Sequence, residues 1–563
     1  MSRNANGRFS EVPVAHIGRS TFDRSCSIKT TFNTGDLIPF FVDEILPGDT
    51  FSIDTAKVVR LQTPLTPFMD NLYLDTYYFF VPDRLVWEHW KEFQGENTES
   101  AWVSQTVYTV PQVTAPAGGW SAGTIADYMG IPTGVAGLSV NAMPFRAYAL
   151  ICNEWFRDEN LQDPFNIPVG DATQTGSNGS NYIIDCALGG KPFVAGKLHD
   201  YFTSALPAPQ KGPDVEIPLL QEVANLPVKA MAADVSGSQS NLRMYSGTGQ
   251  NLYYPAYLHT QPGSSNPSGS GANFSSLLYG GTSSNSAPAG STSVYPLNLW
   301  ADTSPLTSGA AATINSLRLA FQTQKYFEKL ARGGSRYIES IKSMFGVTNP
   351  DYRLQRPEYL GGNRTPIVVN QIIQNSQSTA DSPQGTVTGQ SLTTDNHSDF
   401  TKSFTEHGFV IGLMVARYHH TYQQGLNKMW TRKQVLDYYF PVFANLGEMP
   451  VYNREIYAQG TAVDGEVFGY QEAWAEYRYR PNYVTGEMRS NYAQSLDVWH
   501  LADEYTALPQ LSPTWIKEDK ANVDRVLAVQ SSKANQFFAD LFVRCKATRP
   551  MPVFSVPGLI DHH

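Results

Sequence analysis

Side chains capable of chemistry are sparse in this sequence and poorly grouped. Histidines occur as the adjacent pairs His419-His420 and His562-His563, with His407 in the run TEHG. Neighbours on a strand point to opposite faces, so an adjacent pair does not easily share one metal ion. Capping or packing is the expected role. Asp43, Glu44 and Asp49 surround a Pro-Gly turn. Acid–base work by paired carboxylates needs a cleft and a positioned partner, so turn chemistry is expected there, with a bound divalent cation as the alternative. Cys26, Cys152, Cys186 and Cys545 form neither CxxC nor a metal-ligand spacing and read as reduced, partly buried thiols. No HExxH, P-loop or EF-hand run occurs. The expectation is no catalytic residue, no metal and no cofactor. A hydrolase would need distant carboxylates or a triad to converge, and the sequence offers no pair to name.

Binding groups are easier to find. Arg3, Arg8, Arg19 and Arg24 punctuate a polar start, 1–25, that lacks apolar periodicity and reads as an extended arm. Between Val235 and Trp300 the only Lys, Arg, Asp or Glu is Arg243. Ser, Gly and Asn dominate there, yet Tyr245, Tyr253, Tyr254, Tyr257, Phe274 and Tyr279 interrupt them. A pure linker would lack those aromatics, so 235–300 reads as an inserted surface excursion. Its flat rings and amides suit a sugar, or they pack on one another. A third aromatic group, Phe468 to Tyr483, suits core and contact packing better than base stacking.

The elements that must carry these residues are mainly strands. Cys26, Ile28, Thr30 and Phe32 alternate with polar partners. Leu72, Leu74, Thr76, Tyr78 and Phe80 do so again, with Asp75 on the other face, and Phe409, Ile411 and Leu413 share one parity. Leu541 to Ala547 repeats the pattern. Period two over such lengths argues strands with a buried face. Helices are expected from an Asp83 N-cap through Phe93, over 146–158, over 313–332 with a stripe at Leu317, Ala320, Phe321, Phe327 and Leu330, and over 335–345. Charged residues make up 16% of the chain, against about a quarter in an average soluble protein. The surface is therefore largely neutral and polar. No apolar leader and no apolar run long enough for a membrane helix is present, so neither export nor a membrane span is expected.

Nine segments in order resemble one family. They read LIPFFVDEILPG (37–48), RLQTPLTP (60–67), FFVPDRLVW (79–87), NEWFRDENL (153–161), DYFTSALPAPQKG (200–212), RPEYLGGNRTPI (356–367), FTEHGFVIGL (404–413), FGYQEAWAEYRYR (468–480) and TRPMPVFSVPGLID (548–561). Together they resemble the major capsid proteins of microviruses, in the gokushovirus branch. Glu159 and Ala208 stand where that family more usually has Gln and an aromatic residue.

The resemblance implies a mainly β fold, an eight-stranded antiparallel jelly roll with long, partly helical loop insertions. It implies one elaborated domain over 26–563 behind the arm, with 235–300 as a three-fold protrusion and candidate host-receptor contact. About sixty copies would form a T=1 icosahedral shell around circular single-stranded DNA of a bacteriophage, built in the host bacterial cytoplasm. A small basic DNA-packaging protein, a minor pilot protein and a scaffolding protein would be its partners. The arm arginines would face DNA or a neighbouring subunit. Charge fits a separate packaging protein: at −10 per chain, sixty copies carry roughly −600 before the genome's own phosphates are counted.

Overall fold

The computed structural model describes residues 18–98, 106–215, 228–230, 243–246, 251–253, 294–296, 299–301, 314–376, 378–380 and 383–554. The chain divides into two compact units, 1–212 with 327–563, and 213–326.

Alternating sequence becomes sheet in the first unit. Its long strands are β1 (Ser20–Asp23), β2 (Cys26–Phe32), β3 (Ile38–Ile45), β4 (Thr50–Leu61), β5 (Leu72–Pro82), β6 (Glu358–Pro366), β7 (Thr393–Ser403), β8 (Gly408–Tyr418) and β9 (Phe537–Arg549). One sheet runs β2-β9-β4-β7, with β1 extending the β2 row along β9. The other runs β3-β8-β5-β6. All these pairings are antiparallel. From β2 onward successive strands alternate between the sheets, except that β5 and β6 pair with each other within one sheet, and β9 returns beside β2. That connectivity is the eight-stranded jelly roll, which has two Greek keys. The β3–β4 turn uses Pro47-Gly48, and Gly48 takes φ +90°, a conformation that costs glycine no Cβ clash.

Between the sheets lies the main core, with Phe32, Phe51, Ile53, Leu74, Tyr78, Met414, Phe537 and Leu541 buried. Each such side chain contributes about 1.5–3 kcal/mol of transfer free energy. The sheet holding β9 keeps its other face open, so β9 alternates strictly between buried and exposed residues. The β8 sheet differs. Phe409, Ile411, Leu413 and Val415 pack outward into a second core under the connections, while Val410 and Met414 face the first. Helix α1 (Met143–Ile151) fills that second core and is buried on nearly every side. Its Arg146 is fully buried and donates to the Val86 and Gly170 carbonyls at 3.0 and 2.9 Å.

The helical expectations shift in detail. Asp83 is not an N-cap. It opens a 3₁₀ turn, Asp83–Leu85, after Pro82, and a separate helical turn follows at Trp90–Phe93. The Asp83 carboxyl is buried and one oxygen has no hydrogen-bond partner. Burial, with Glu44 and Glu406 adding repulsion, pushes its pKa up to about 7. Such a group cannot cap a helix as an anion. Helix α1 gives way to a π turn at Cys152–Phe156. Helix α2 (Ile314–Gly333) leaves Phe321, on the expected apolar stripe, 62% exposed. Helix α3 (Tyr337–Phe345) ends on Gly346 at φ +70°, as its glycine stop requires.

The unit 213–326 is strand-bearing where it is described. Arg243–Ser246 pairs with Asn251–Tyr253 and Val294–Pro296, and Val228–Ala230 pairs with Leu299–Ala301.

Candidate functional site

The chain after β8 leaves the sheet and forms a ledge without regular structure. Three 3₁₀ turns, Lys428–Thr431, Val435–Asp437 and Pro441–Phe443, follow one another. Local polar groups set each turn. Asn427 accepts from the Met429 amide at 3.0 Å, Asp437 accepts from the Lys433 and Gln434 amides at 2.7 and 2.8 Å, and Pro441 starts the third. These turns throw apolar side chains outward. Trp430 is 71% exposed, Val435 70% and Val442 81%, and Tyr438, Tyr439 and Phe440 are about half exposed.

The ledge is braced from behind by the aromatic run that follows Phe468. Arg432 lies over the Tyr477 ring at 4.3 Å and pairs with buried Glu476 at 3.2 Å. Tyr439 meets Trp474 edge-on at 5.7 Å, and the Trp474 indole donates to the Phe443 carbonyl at 3.2 Å. Trp430, Tyr479 and Tyr483 line one groove of about 350 Å³ with Met429 and Pro481. The rings of Trp430, Tyr438, Tyr439, Phe440, Tyr477, Tyr479 and Tyr483 are all exposed. At about 150–250 Å² per buried ring and roughly half of each showing, they present on the order of 700 Å². A standard interface buries ~800 Å² per partner. Isolated exposed apolar residues are ordinary, but this much exposed ring surface on one ledge and its brace suits a contact surface.

The residues weighed for chemistry do not gather at the ledge. His420 is fully buried between Asp503 and Glu518, at 2.9 Å from each, and so sits in an internal ion network. His419 turns the other way and meets Tyr73 edge-on at 5.6 Å. Asp43 accepts two hydrogen bonds from Arg24. Asp49 accepts from the Leu46 amide at 2.9 Å and lies 3.0 Å from Arg549. Among the described residues no three His, Cys, Asp or Glu side chains are grouped to hold a metal ion. No helix there is long and apolar enough to cross a membrane.

The other residues singled out in the sequence are scattered. Arg19 donates to the Gly48 carbonyl and to Thr50, and Arg24 is held by Asp43, so both guanidiniums engage their own chain. Tyr245 and Tyr253 lie on paired strands, where Tyr245 faces Tyr295 and Tyr253 faces Arg243 in register. Arg3, Arg8, Tyr254, Tyr257, Phe274 and Tyr279 lie outside the described residues. The ledge from Trp430 to Leu446 was not singled out. Its signal is a dense apolar run, MWTRKQVLDYYFPVFANL, that fits neither period two nor a helical stripe.

Comparison with known proteins decides what kind of protein carries this surface. The family model described as capsid protein (F protein) matches residues 10–559. The chain belongs to that phage capsid protein family. Similar proteins include the capsid protein VP1 of Chlamydia phage 1, 44% identical over 98% of this chain and 97% of the relative. The capsid protein VP1 of Bdellovibrio phage phiMH2K is 43% identical over 99% and 98%. That of Spiroplasma virus 4 is 42% identical over 98% and 97%. As a microvirus-type major capsid protein, the chain is a structural component of the virion and not an enzyme.

Proposed function

We propose that copies of this chain assemble, about sixty to a T=1 icosahedral shell, around a circular single-stranded DNA genome. The exposed aromatic ledge carries the reading. A monomer would leave it wet, and copies can cover it at every repeat. Interface energy concentrates in buried aromatic anchors, ~2 kcal/mol or more at each hot spot. The double substitution Trp430→Ala, Val442→Asp should therefore abolish or sharply reduce particles in electron micrographs while leaving a folded chain by circular dichroism. Particles at wild-type yield would remove the ledge from the assembly surface.

The excess of acidic residues, 51 against 41 basic, supports a separate small basic packaging protein, with pilot and scaffolding proteins completing the partners. Arg3 and Arg8 are assigned to DNA or to a neighbouring subunit. Arg19 and Arg24 fasten β1 onto the chain's own sheet. The excursion at 235–300, with Tyr245, Tyr253, Tyr254, Tyr257, Phe274 and Tyr279, is assigned to a protrusion that meets the host receptor. The described members of the three buried cores all belong to the unit 1–212 with 327–563. Deleting about Ser236 to Ser291 is thus expected to spare folding and particle formation and to impair host attachment. Normal adsorption of such particles would end the receptor assignment.

A further inference from the structure

The open face of the β2-β9-β4-β7 sheet borders a second concavity, of about 1180 Å³, whose other wall comes from the turn at Ile125–Tyr128 and from 180–194 and 517–520. It exceeds the ~300–1,000 Å³ of a pocket for one small ligand. Five cationic side chains line it: Lys29, Arg60, Lys191, Lys517 and Lys520. That concentration stands out in a chain of net charge −10. The acids present are largely committed. Asp127 accepts from the Gly123 amide at 2.7 Å, and Asp540 stands 3.6 Å from Lys29 on open surface. Asp36 is partly buried, accepts from the Asn33 side-chain amide at 3.4 Å, and has its pKa pushed up to about 6 by desolvation. Among the described residues the Lys191 side chain donates to the Ala122 and Gly123 carbonyls. Among the described residues the side chains of Arg60 and Lys520 make no ion pair or hydrogen bond, and Lys520 lies near enough to Asp36 to favour its anion.

Aromatic faces stand beside the cations. Lys517 lies 4.8 Å from the centre of the Tyr182 ring. Phe538, on β9, points outward and is exposed within the same concavity. Cations that follow a backbone and rings that accept any base are the two parts of sequence-tolerant single-strand binding. An acidic peptide would use the cations but leave Phe538 exposed to water.

We propose that this concavity binds unpaired DNA, with phosphates at Arg60, Lys517 and Lys520 and a base against Phe538. The inference rests on the reading of the chain as the shell around a single-stranded genome.

The test uses the full-length chain and fluorescent oligothymidylate, with anisotropy followed across a salt series. For single strands the logarithm of the affinity falls with log salt by about 0.7 per phosphate contact, so Arg60→Gln, Lys517→Gln, Lys520→Gln together should flatten that slope by about 2. Phe538→Ser should weaken binding roughly tenfold with the slope unchanged. An unaltered slope in the triple variant overturns the proposal. So does polyglutamate binding with the same affinity and the same response to Phe538→Ser, which would make the site a peptide groove. Particles separate this claim from the shell reading. Shells of the triple variant that enclose less DNA support the site, and shells with wild-type DNA content refute it alone. Absence of shells from the wild-type chain with its partners would refute the shell reading itself.

Discussion

Replacing His420 by alanine should cost ~3–5 kcal/mol of folding stability, the usual result of removing one member of a buried ion network. His420 stands just past the end of β8. Its Nδ1 lies 2.9 Å from Asp503 and its Nε2 lies 2.9 Å from Glu518. Asp503 also accepts from Asn522 at 2.6 Å and from Tyr505 at 2.9 Å, with Lys197 at 3.7 Å. One ring therefore ties the end of β8 to the segments around 503 and 518, far apart in sequence and all buried. Without it two carboxylates remain in the interior with less compensation. Burial alone would lower the imidazole pKa, but Asp503 and Glu518 outweigh it and raise the value to about 10. The sign follows by linkage. A histidine raised above its unfolded value near 6.5 contributes its full stability below that pH. The contribution falls as pH rises and is gone above about 10. Urea midpoints between pH 6 and pH 10 should thus drop more steeply for the wild-type chain than for His420→Ala, with the two curves converging at the alkaline end. Parallel curves across that window would show that the ring is not held as an imidazolium.

The same residue shows what the sequence could carry. Adjacency predicts that His419 and His420 turn to opposite sides, and they do, although both stand past the end of β8 and not on a strand. The carboxylates that define His420's role stand 83 and 98 residues further on, a distance no local pattern spans. Strands were legible where one sheet face is wet, because β9 and β4 then alternate in polarity. In β8 Phe409, Ile411 and Leu413 do share one face, but it is the outer one, covered by α1 and its neighbours, and the opposite parity is buried too because it faces the main core. Asp83 misled because an acid before an apolar run is the usual cap signal, and only tertiary burial makes it a poor anion. The ledge at Trp430 to Leu446 was illegible for a related reason. Its apolar residues are turned outward by successive 3₁₀ turns, and neither strand nor helix periodicity encodes that. The concavity around Lys517 draws its cations from 29, 60, 191, 517 and 520, so only the folded sheet brings them together.

The central strand of the outer-packed sheet supplies the second large effect. Asp75 → Leu is expected to cost about 3 kcal/mol or more, although aspartate is a poor β-former. Asp75 is buried on β5 and accepts from Arg364 of β6 at 2.6 and 2.9 Å and from Arg417 of β8 at 2.6 Å. The Tyr77 hydroxyl donates to it at 3.1 Å and in turn accepts from Arg417 at 2.7 Å. A single carboxylate thus fastens three strands on the face turned away from the main core. Burial would raise its pKa, but the two arginines outweigh this and hold it below the ordinary carboxylate value. Its contribution is therefore present above about pH 3.8 and is lost as pH falls through the lower folded value. Arg364 is partly exposed and can turn to water, whereas Arg417 is mostly buried and would be left unpaired. The penalty should accordingly come chiefly from Arg417. Combining Asp75→Leu with Arg417→Met should recover part of the loss, because replacing both partners by apolar groups of similar volume removes the stranded charge. A double-mutant cycle read by urea denaturation would measure that coupling. Strict additivity of the two substitutions would mean that Asp75 and Arg417 do not stabilise the sheet through each other.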